Sequence, residues 1–327
     1  MIQKTILVTG GAGYIGSHAC QALAAAGYTP VVFDNLSTGH QDAVKFGPLV
    51  QGDIRDGAAL EAVLNEYKPA AVMHFAALIK VGESVTQPAD YYNVNTHGAW
   101  QVLNAIRTTG IIPVVFSSTA AVYGIPETSP IPESAKLAPI NPYGQSKMMV
   151  EHMLRDYSQA YGLPSVALRY FNAAGASLDN SIGLQNRIPT HLIPVALEAL
   201  LGTRPQLEIF GSDYPTPDGT AVRDYIHVAD LATAHVAALE YLLQGGETIQ
   251  LNLGTGQGLS VDEVITSVNR VTGLTVPATK HPRRAGDPPA LVADSSLAQK
   301  ILNWKPLHSD VETIVRTAWV WRQQLSI

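Results

Sequence analysis

The stretch TILVTGGAGYIG, residues 5–16, decides the fold of this chain. Its first half is an apolar, β-branched run that is typical of a buried strand, and its second half satisfies GxGxxG through Gly11, Gly13 and Gly16. Glycines permit a tight turn from strand to helix and let the backbone approach a pyrophosphate, which the free N–H groups of the helix then bind. The stretch therefore predicts a dinucleotide-binding loop, with cofactor contacts at Gly10, Gly13, Tyr14, Ile15 and Gly16.

The first half of the chain repeats this strand-and-helix pattern. Apolar runs predict strands at 5–9, 30–34, 49–52, 70–75, 113–117 and 165–170, and alanine-rich and leucine-rich segments between them, such as 17–26 and 58–66, predict helices. Such alternation predicts a parallel sheet with helices on both faces, since the crossovers are right-handed. We expect an α/β, doubly wound (Rossmann) fold that binds its ligand at the carboxyl ends of the strands.

The pattern changes after about Phe171, where Pro, Gly and Asn become more frequent. Helices are predicted at 192–201, 228–242, from 260 onward and at 311–324, a strand at 248–253, and turn-rich loops at 211–219 and 277–289. We interpret this half as a smaller α/β substrate-binding domain. The predicted division is a cofactor domain at 1–173, with a return segment at about 221–253, and a substrate domain at 174–220 and 254–327.

An acid follows the glycines at the distance that a dinucleotide site requires. Asp34 ends the second strand, and 34 − 16 = 18 residues separate it from the last glycine. An acid about 20 residues on binds the ribose 2′-hydroxyl and repels a 2′-phosphate, and no Arg occupies positions 34–40. The sequence thus favours NAD over NADP. Asp53 and Ile54, at the end of the third strand, are candidates for the adenine edge.

A second motif, NPYGQSK at 141–147, places Tyr143 and Lys147 four residues apart at the start of a helix. Asn141 can cap this helix, and Pro142 suits its first position. The spacing puts the phenol and the ammonium on one helical face, where the ammonium is expected to lower the phenol pKa from ~10 toward neutrality and make Tyr143 a base. The hydroxyl cluster FSSTAAVYG at 116–124 ends another strand, so Ser117 and Thr119 are expected to meet Tyr143 at the same crevice.

Composition excludes several other classes of protein. Lys and Arg total 21 against 27 Asp and Glu, for a net charge of −6, so a nucleic-acid partner is not expected. The single cysteine, Cys20, excludes an intramolecular disulfide and a cysteine metal cluster, and the ten histidines show no metal-ligand spacing. No apolar run approaches the ~18 residues of a membrane-spanning helix. We expect a globular protein of the cytoplasm, with no metal and no membrane contact.

Together these motifs identify a resemblance to the extended short-chain dehydrogenase/reductase family, and within it to the nucleotide-sugar 4-epimerases. The resemblance covers essentially the whole chain. In the first half it rests on GDI at 52–54, HFAA at 74–77, VGES at 81–84 and YFN at 170–172. The more specific second-half strings are IFGSDYPT at 209–216, DGT at 218–220, RDYIHV at 223–228 and RRAGD at 283–287.

The resemblance implies an activity and a role for each matched residue. The activity is NAD-dependent interconversion of UDP-galactose and UDP-glucose through a 4-keto intermediate, by a homodimer paired through helices near 91–106 and 146–161. Tyr143 is the implied base, Lys147 its partner, and Thr119 the contact to the sugar 4-hydroxyl. Further NAD contacts are implied for Asn35, Phe75, Ala76, Ala77, Asn95, Ser117 and Phe171. The UDP-sugar contacts implied are Thr119, Asn172, His191, Leu192, Phe210, Arg223, Tyr225, Arg284, Asp287 and Leu291.

Several alternatives stay open. Leu291 is intermediate in size at a position that separates narrow hexose pockets from wide ones, so UDP-N-acetylhexosamines or UDP-pentoses are alternative substrates. Another NAD-dependent nucleotide-sugar oxidoreductase, a dehydratase or decarboxylase, and a non-catalytic NAD-binding protein are further alternatives. Dehydration is disfavoured because Ala120 and Ala121 follow Thr119, where such enzymes carry an acid. Ile79 replaces the lysine of some relatives, and a solvated Lys80 follows it.

Overall fold

A computed structural model of the chain describes residues 4–185, 189–284 and 287–325. The strands are β1 (Thr5–Thr9), β2 (Thr29–Asp34), β3 (Leu49–Gln51), β4 (Ala71–His74), β5 (Val114–Thr119), β6 (Ser165–Tyr170), β7 (Asn172–Ala174), β8 (Leu207–Phe210), β9 (Val222–His227), β10 (Ile249–Leu253), β11 (Gly258–Ser260), β12 (Ala278–His281) and β13 (Ala290–Leu291). The α-helices are α1 (Tyr14–Ala25), α2 (Gly57–Tyr67), α3 (Val81–Thr86), α4 (Pro88–Tyr91), α5 (Gly98–Thr109), α6 (Pro142–Tyr161), α7 (Leu192–Leu200), α8 (Val228–Leu243), α9 (Val261–Thr272), α10 (Ser296–Leu302) and α11 (Val311–Leu325). Tyr92–His97 forms a π-helical link between α4 and α5, and Ala120–Tyr123 forms a 3-10 turn after β5.

The main sheet has seven strands in the order β10-β6-β5-β4-β1-β2-β3, and all neighbouring pairs are parallel. The chain runs outward from β1 to β3 and then crosses back to β4 on the other side of β1. The carboxyl ends of β1 and β4 therefore border the crevice where such sheets bind ligands. The predicted doubly wound parallel sheet is confirmed.

Helices cover both faces of this sheet. Apolar residues of α1 and α8 pack with β1, β6 and β10 in one buried cluster that includes Leu23, Leu231 and Leu251. On the opposite face α2, α5 and α6 pack against the sheet through residues such as Leu60, Ile106 and Leu154. Burial on both faces explains why the strands are apolar runs rather than alternating ones.

The second half of the chain builds a smaller α/β layer beside the carboxyl ends of the main sheet. A four-stranded sheet has β9 paired with β11, β13 and β7, and β8 pairs with β12 in a separate ribbon. Helices α7, α9 and α11 pack around a third apolar cluster, which includes Ile193, Val264 and Ile314. Because β9 lies at the centre of the smaller sheet, it brings residues from distant parts of the chain into register.

Most predicted elements occur close to their expected bounds, but one predicted loop contains a strand and two predicted elements begin or end elsewhere. The predicted strand at 113–117 is too short, since β5 continues through Thr119 and pairs there with β6. The predicted loop at 277–289 contains β12, whose backbone partners lie some 70 residues earlier in β8. The predicted helix at 17–26 begins earlier, at Tyr14, because glycine at position 16 lets the first turn lie against the loop.

No helix in 4–185, 189–284 or 287–325 is long and apolar enough to cross a membrane. In the same ranges no three His, Cys, Asp or Glu side chains are grouped so that they could hold a metal ion.

Candidate active site

The turn after β1 is a backbone cradle that only glycine can form. Gly10 has a φ of +74°, and a Cβ there would lie 2.5 Å from the backbone nitrogen of Ala76, which follows β4. A Cβ on Gly16 would lie 2.2 Å from the carbonyl oxygen of Gly10. Gly13 caps α1 without a side-chain hydrogen bond, so the first N–H groups of the helix are left for a ligand. This cradle at the β1–β4 crevice fits the pyrophosphate of a dinucleotide.

Asp34 ends β2 beside this cradle and is almost fully buried. Its carboxylate accepts hydrogen bonds from the backbone N–H groups of Ala12 (3.0 Å) and Leu36 (2.8 Å). Burial raises the pKa of Asp34, and these two hydrogen bonds act in the opposite direction. A carboxylate in this position can accept a hydrogen bond from a ribose 2′-hydroxyl, so Asp34 fits NAD.

Asp53 is held by neighbours of its own. Arg55 donates to both of its oxygens, at 2.9 and 2.7 Å, and Asn35 donates to it at 2.9 Å. The hydrogen bonds from Arg55 hold the Asp53 pKa well below its usual range. Ile54 is buried and lies against Gly98, where a Cβ would come within 2.6 Å of its side chain. Asp53 and Asn35 are thus joined by a hydrogen bond after the end of β3, and the buried Ile54 next to them packs against Gly98.

The remaining predicted cofactor residues divide into two groups. Phe75, Ala76 and Ala77 follow β4 and are half-buried at the crevice, with Ala76 against the glycine cradle. Of four others, two have polar atoms that are already hydrogen-bonded within the protein, and two are half-buried apolar side chains. Tyr14 donates its hydroxyl to the carbonyl of Gly175 at 2.7 Å, and the buried amide of Asn95 bonds both backbone groups of Leu78 and the hydroxyl of Ser146. Ile15 is half-buried in the first turn of α1, and Phe171 is half-buried between β6 and β7.

The Tyr-Lys pair lies against the carboxyl end of β5, the strand that carries the hydroxyl cluster. Asn141 caps α6 through a hydrogen bond from Gly144, and Pro142 is its first residue, as the sequence predicts. The side chains of Tyr143 and Thr119 lie close enough to interact. Lys147 is buried and donates its ammonium to the carbonyl of Ser117 at 2.8 Å.

Burial dominates the ionisation of this pair. It raises the pKa of Tyr143, while the hydrogen bond from Thr119 acts in the lowering direction. It also lowers the pKa of Lys147 to about 7, against the opposing charge of Glu151. The expectation that Lys147 lowers the Tyr143 pKa toward neutrality is therefore wrong for this structure. The physical reason is that the ammonium is directed at a carbonyl of β5 and is itself desolvated.

The smaller sheet carries several of the substrate-binding residues that were predicted in the second half of the chain. Arg223 lies on β9, in register with Leu291 of β13, and Tyr225 of β9 is in register with Asn172 of β7. Asn172 donates its amide to the carbonyl of Asp224 at 3.0 Å. Leu291 also packs against the apolar cluster that includes Ala120, next to Thr119. Parallel pairing to one central strand therefore places these side chains beside the end of β5.

The four predicted contacts to the diphosphate and nucleoside form two pairs. Arg223 forms an ion pair with Asp287, 3.2 Å from Nη2 to Oδ1. The guanidinium of Arg284 lies 3.8 Å over the ring of Phe210. Residues 285 and 286 of the RRAGD string lie outside the described residues. His191 and Leu192 are at the start of α7, where His191 is exposed and Leu192 packs on the third apolar cluster.

The sequence analysis did not identify a set of buried polar residues behind Tyr143 and Lys147. Glu151 of α6 and Arg169 of β6 form an ion pair, 2.6 Å from Nη2 to Oε2, and Ser118 donates its hydroxyl to the same carboxylate. Tyr170 is hydrogen-bonded to the hydroxyl of Ser117. Continuing the spacing of four from Tyr143 and Lys147 reaches Glu151, so that residue could have been found from the sequence.

The fold and this site define a nucleotide-dependent enzyme of the Rossmann class, and comparisons with known proteins identify its family. A model of the NAD dependent epimerase/dehydratase family matches residues 6–254, and the chain belongs to that family. The cofactor predicted from the sequence, NAD, is therefore that of its family.

Individual relatives are more specific. The chain is 52% identical over 321 residues to a UDP-glucose 4-epimerase of Rhizobium leguminosarum bv. trifolii, covering 98% of both chains. It is similar to the crystal structure of a UDP-glucose 4-epimerase from Brucella ovis in complex with NAD, with a TM-score of 0.95, 53% identity and coverage of 97% and 98%. It is also similar to the Bifidobacterium longum UDP-glucose 4-epimerase in complex with NAD+ and UDP, with a TM-score of 0.93, 38% identity and 98% coverage of both chains.

Proposed function

We propose that this chain is a UDP-glucose 4-epimerase that interconverts UDP-galactose and UDP-glucose. The observation that carries the proposal is the placement of Tyr143 beside Thr119 at the end of β5, with the buried Lys147 one turn further along α6. This pair lies between the glycine cradle and the substrate-binding residues predicted on the smaller sheet. A sugar hydroxyl that reaches the pair would thus be close to both a dinucleotide and a nucleotide anchor.

Tyr143 is the proposed base and acid of the reaction. It takes the proton of the sugar 4-hydroxyl as C4 is oxidised, and returns it when C4 is reduced from the other face. Thr119 orients both the phenol and the sugar hydroxyl. A bound NAD would supply a reversible hydride acceptor for C4, so the reaction would have no net redox change.

The protein must favour the Tyr143 phenolate against the effect of burial. The Thr119 hydrogen bond acts in this direction. A positive charge near the phenol acts in the same direction, and both a protonated Lys147 and an oxidised nicotinamide supply one. Because Lys147 has a pKa of about 7, its charge is sensitive to pH in the physiological range.

Return of hydride to the opposite face requires the hexose to turn while the nucleotide stays bound. Arg223 and Arg284 are the proposed diphosphate anchors, since a planar guanidinium matches phosphate oxygens. Phe210 is the proposed neighbour of uracil, and Asp287 the proposed ribose contact. Binding energy from this remote, non-reacting part of the substrate keeps the intermediate in place while its sugar is loose.

A dehydratase is the main alternative within the family, and the residues after Thr119 disfavour it. Elimination of water needs an acid beside the 4-keto sugar, but the 3-10 turn that follows β5 begins with Ala120 and Ala121. The nearby carboxylate of Glu151 is occupied by Arg169 and Ser118. Epimerisation needs no second acid, because the one proton that it moves can be taken and returned by Tyr143.

The test is to incubate the purified protein with UDP-galactose and to identify the product by chromatography and mass spectrometry. Epimerisation gives UDP-glucose of unchanged mass, and the total of the two UDP-hexoses stays constant. A product that has lost water would replace the proposal with a dehydratase. The Tyr143→Phe variant is the inactive control, and Tyr67→Phe, at the end of α2, is the matched active one.

The proposal includes a domain division, an assembly and a location. The proposed cofactor domain is 1–173 with a return segment at about 221–253, which contains α8 and β10, and the proposed substrate domain is 174–220 and 254–327. A homodimer in the cytoplasm is also proposed. The dimer is supported by exposed apolar side chains on α5 and α6, Trp100, Met149 and Tyr161. A monomeric mass by light scattering would contradict the proposed assembly.

A further inference from the structure

The inner face of α6 contacts the end of β5 on three successive turns. Tyr143, Lys147 and Glu151 are four residues apart, so they share one face of the helix. The first lies beside Thr119, the second donates to the carbonyl of Ser117, and the third accepts from the hydroxyl of Ser118. The proposed reaction uses the first two contacts and leaves the third unexplained.

The third contact belongs to a fully buried ion pair. Glu151 is 3% exposed and Arg169 is 4% exposed. Arg169 donates from Nε to both carboxylate oxygens, at 3.0 and 3.1 Å, and from Nη2 at 2.6 Å. With the Ser118 hydroxyl added, the carboxylate has partners on both oxygens from two different strands.

Arg169 is fixed on its other side as well. Its Nη1 donates to the hydroxyl of Tyr123 at 2.9 Å, and that hydroxyl donates to Asn252 of β10 at 2.7 Å. The guanidinium therefore connects β6 to the turn after β5 and to the neighbouring strand β10. Through Glu151, the same set of bonds reaches α6.

Stability alone does not account for such a pair. Removing two charges from water is costly, and replacing a buried ion pair by apolar residues of similar volume is often neutral or stabilising. A polar set with every member satisfied does, however, hold its elements in one arrangement. Here that arrangement is the packing of α6, which carries the proposed base Tyr143, against β5, which carries Thr119.

We propose that Glu151 and Arg169, acting through Ser118, are positioning residues that set the register of α6 on β5 and so hold Tyr143 and Lys147 at the reacting sugar. The reaction named in this inference is that of the proposed function, on which the inference therefore rests. The packing of α6 on β5 does not depend on that function. Neither residue reaches the substrate in this account, and both act through α6 and β5.

Glu151 also contributes charge to the site. Its carboxylate opposes the effect of burial on the Lys147 pKa. Other titratable or charged groups surround these residues. Arg169 of β6 pairs with Glu151, His74 of β4 interacts with Lys147, and Tyr170 of β6 and Tyr91 of α4 interact with Tyr143. Loss of the Glu151 charge leaves Arg169 without its counter-ion, and both changes favour loss of the Lys147 proton at lower pH.

The experiment compares Glu151→Gln and Ser118→Ala with a matched control, Glu198→Gln. Glu198 of α7 is also buried and is paired with two arginines, Arg204 and Arg322. It differs from Glu151 in lying beside the third apolar cluster, away from β5. The readouts are kcat and KM for UDP-galactose across pH, and hydrogen exchange of the segments 113–121 and 141–152. Thermal unfolding establishes that each variant is folded.

We expect Glu151→Gln to lower kcat by about 10- to 100-fold, the effect of a misplaced reacting group, with KM within about threefold. The deficit grows from about pH 6 to about pH 8, because Lys147 loses its charge earlier. Exchange becomes faster in 113–121 and 141–152. Ser118→Ala shows a smaller fall in kcat and faster exchange in the same two segments, and Glu198→Gln shows neither effect.

The inference is overturned if folded Glu151→Gln keeps kcat within about twofold of the parent, or if its deficit is the same at every pH and its exchange matches that of Glu198→Gln. If Glu151→Gln does not fold, Ser118→Ala decides by the same criteria. A parent protein that shows no epimerisation contradicts the proposed function instead. The exchange comparison still tests the positioning role in that case.

Discussion

Replacing Gly10 by alanine tests the closest approach in the cofactor cradle. The residue has a φ of +74°, and an added Cβ would lie 2.5 Å from the nitrogen and 2.8 Å from the Cα of Ala76. Both are backbone atoms of the segment after β4, so no side chain can rotate away. The N–H of Gly10 also donates to the carbonyl of Phe33, which ties this turn to β2.

Two costs add at this position. An alanine in the left-handed region costs about 1–2 kcal/mol. Forcing a methyl group into a closely packed site costs a further ~1–3 kcal/mol. Gly27, in the turn between α1 and β2, has a φ of +84° and nothing within 4 Å of an added Cβ, so Gly27→Ala carries the first cost alone. The difference between the two variants isolates the contact between the turn and Ala76.

The assay measures the NAD released per chain on denaturation and the thermal unfolding midpoint of each purified variant. Gly27→Ala is expected to retain the NAD content of the parent, with a small decrease in the midpoint. Gly10→Ala is expected to lose most of its NAD and to unfold at a lower temperature, because β4 and the turn must move apart. Equal NAD content and equal midpoints in the two variants would refute the cradle.

Four other changes have defined outcomes. Tyr143→Phe lowers kcat by ~10²–10⁴, and near-parental turnover would remove the base from the mechanism. Asp34→Ala raises the affinity for NADP relative to NAD, and an unchanged ratio in a binding titration would contradict the ribose contact. Leu291→Tyr reduces any activity on UDP-N-acetylhexosamines relative to UDP-galactose, and equal rates before and after the change would place Leu291 outside the sugar pocket. Burial lowers the pKa of four histidines, His18, His74, His227 and His235, to between about 3 and about 4. Because these histidines take up protons at higher pH in the unfolded chain than in the folded one, the free energy of unfolding falls as the pH decreases from ~6.5. An unfolding midpoint that stays flat between about pH 7 and pH 5 would contradict this.

The parts of the fold that sequence predicts well are those decided within a few neighbouring residues. The strand, glycine turn and helix at 5–25 depend on apolar runs and on glycine at particular positions. The cap of α6 at Asn141 and the shared face of Tyr143 and Lys147 depend on spacing within one helix. Such local rules need no knowledge of what packs against the segment.

The elements that were missed depend on partners far along the chain. The register of β12 comes from β8, and the last residues of β5 belong to the strand because β6 pairs with them. The ion pair of Arg223 with Asp287 joins residues 64 positions apart. Sequence patterns indicate that such residues are polar, but not which charge each will meet.

The ionisation of the site was mispredicted for a related reason. Spacing places Lys147 beside Tyr143, but the pKa of each depends on how much water the fold removes from it. Burial is the largest influence on both groups. The buried Arg169, in an otherwise apolar strand, was a signal that a counter-charge such as Glu151 must lie nearby.

The central claim is that the chain is a self-contained epimerase, and the most direct test uses the purified protein with UDP-galactose and no added NAD. We expect UDP-glucose to form while the UDP-hexose total stays constant, and NAD to be recovered from the protein only on denaturation. If nothing is converted until NAD is added, and NADH then accumulates, the chain is instead a dehydrogenase that releases its cofactor.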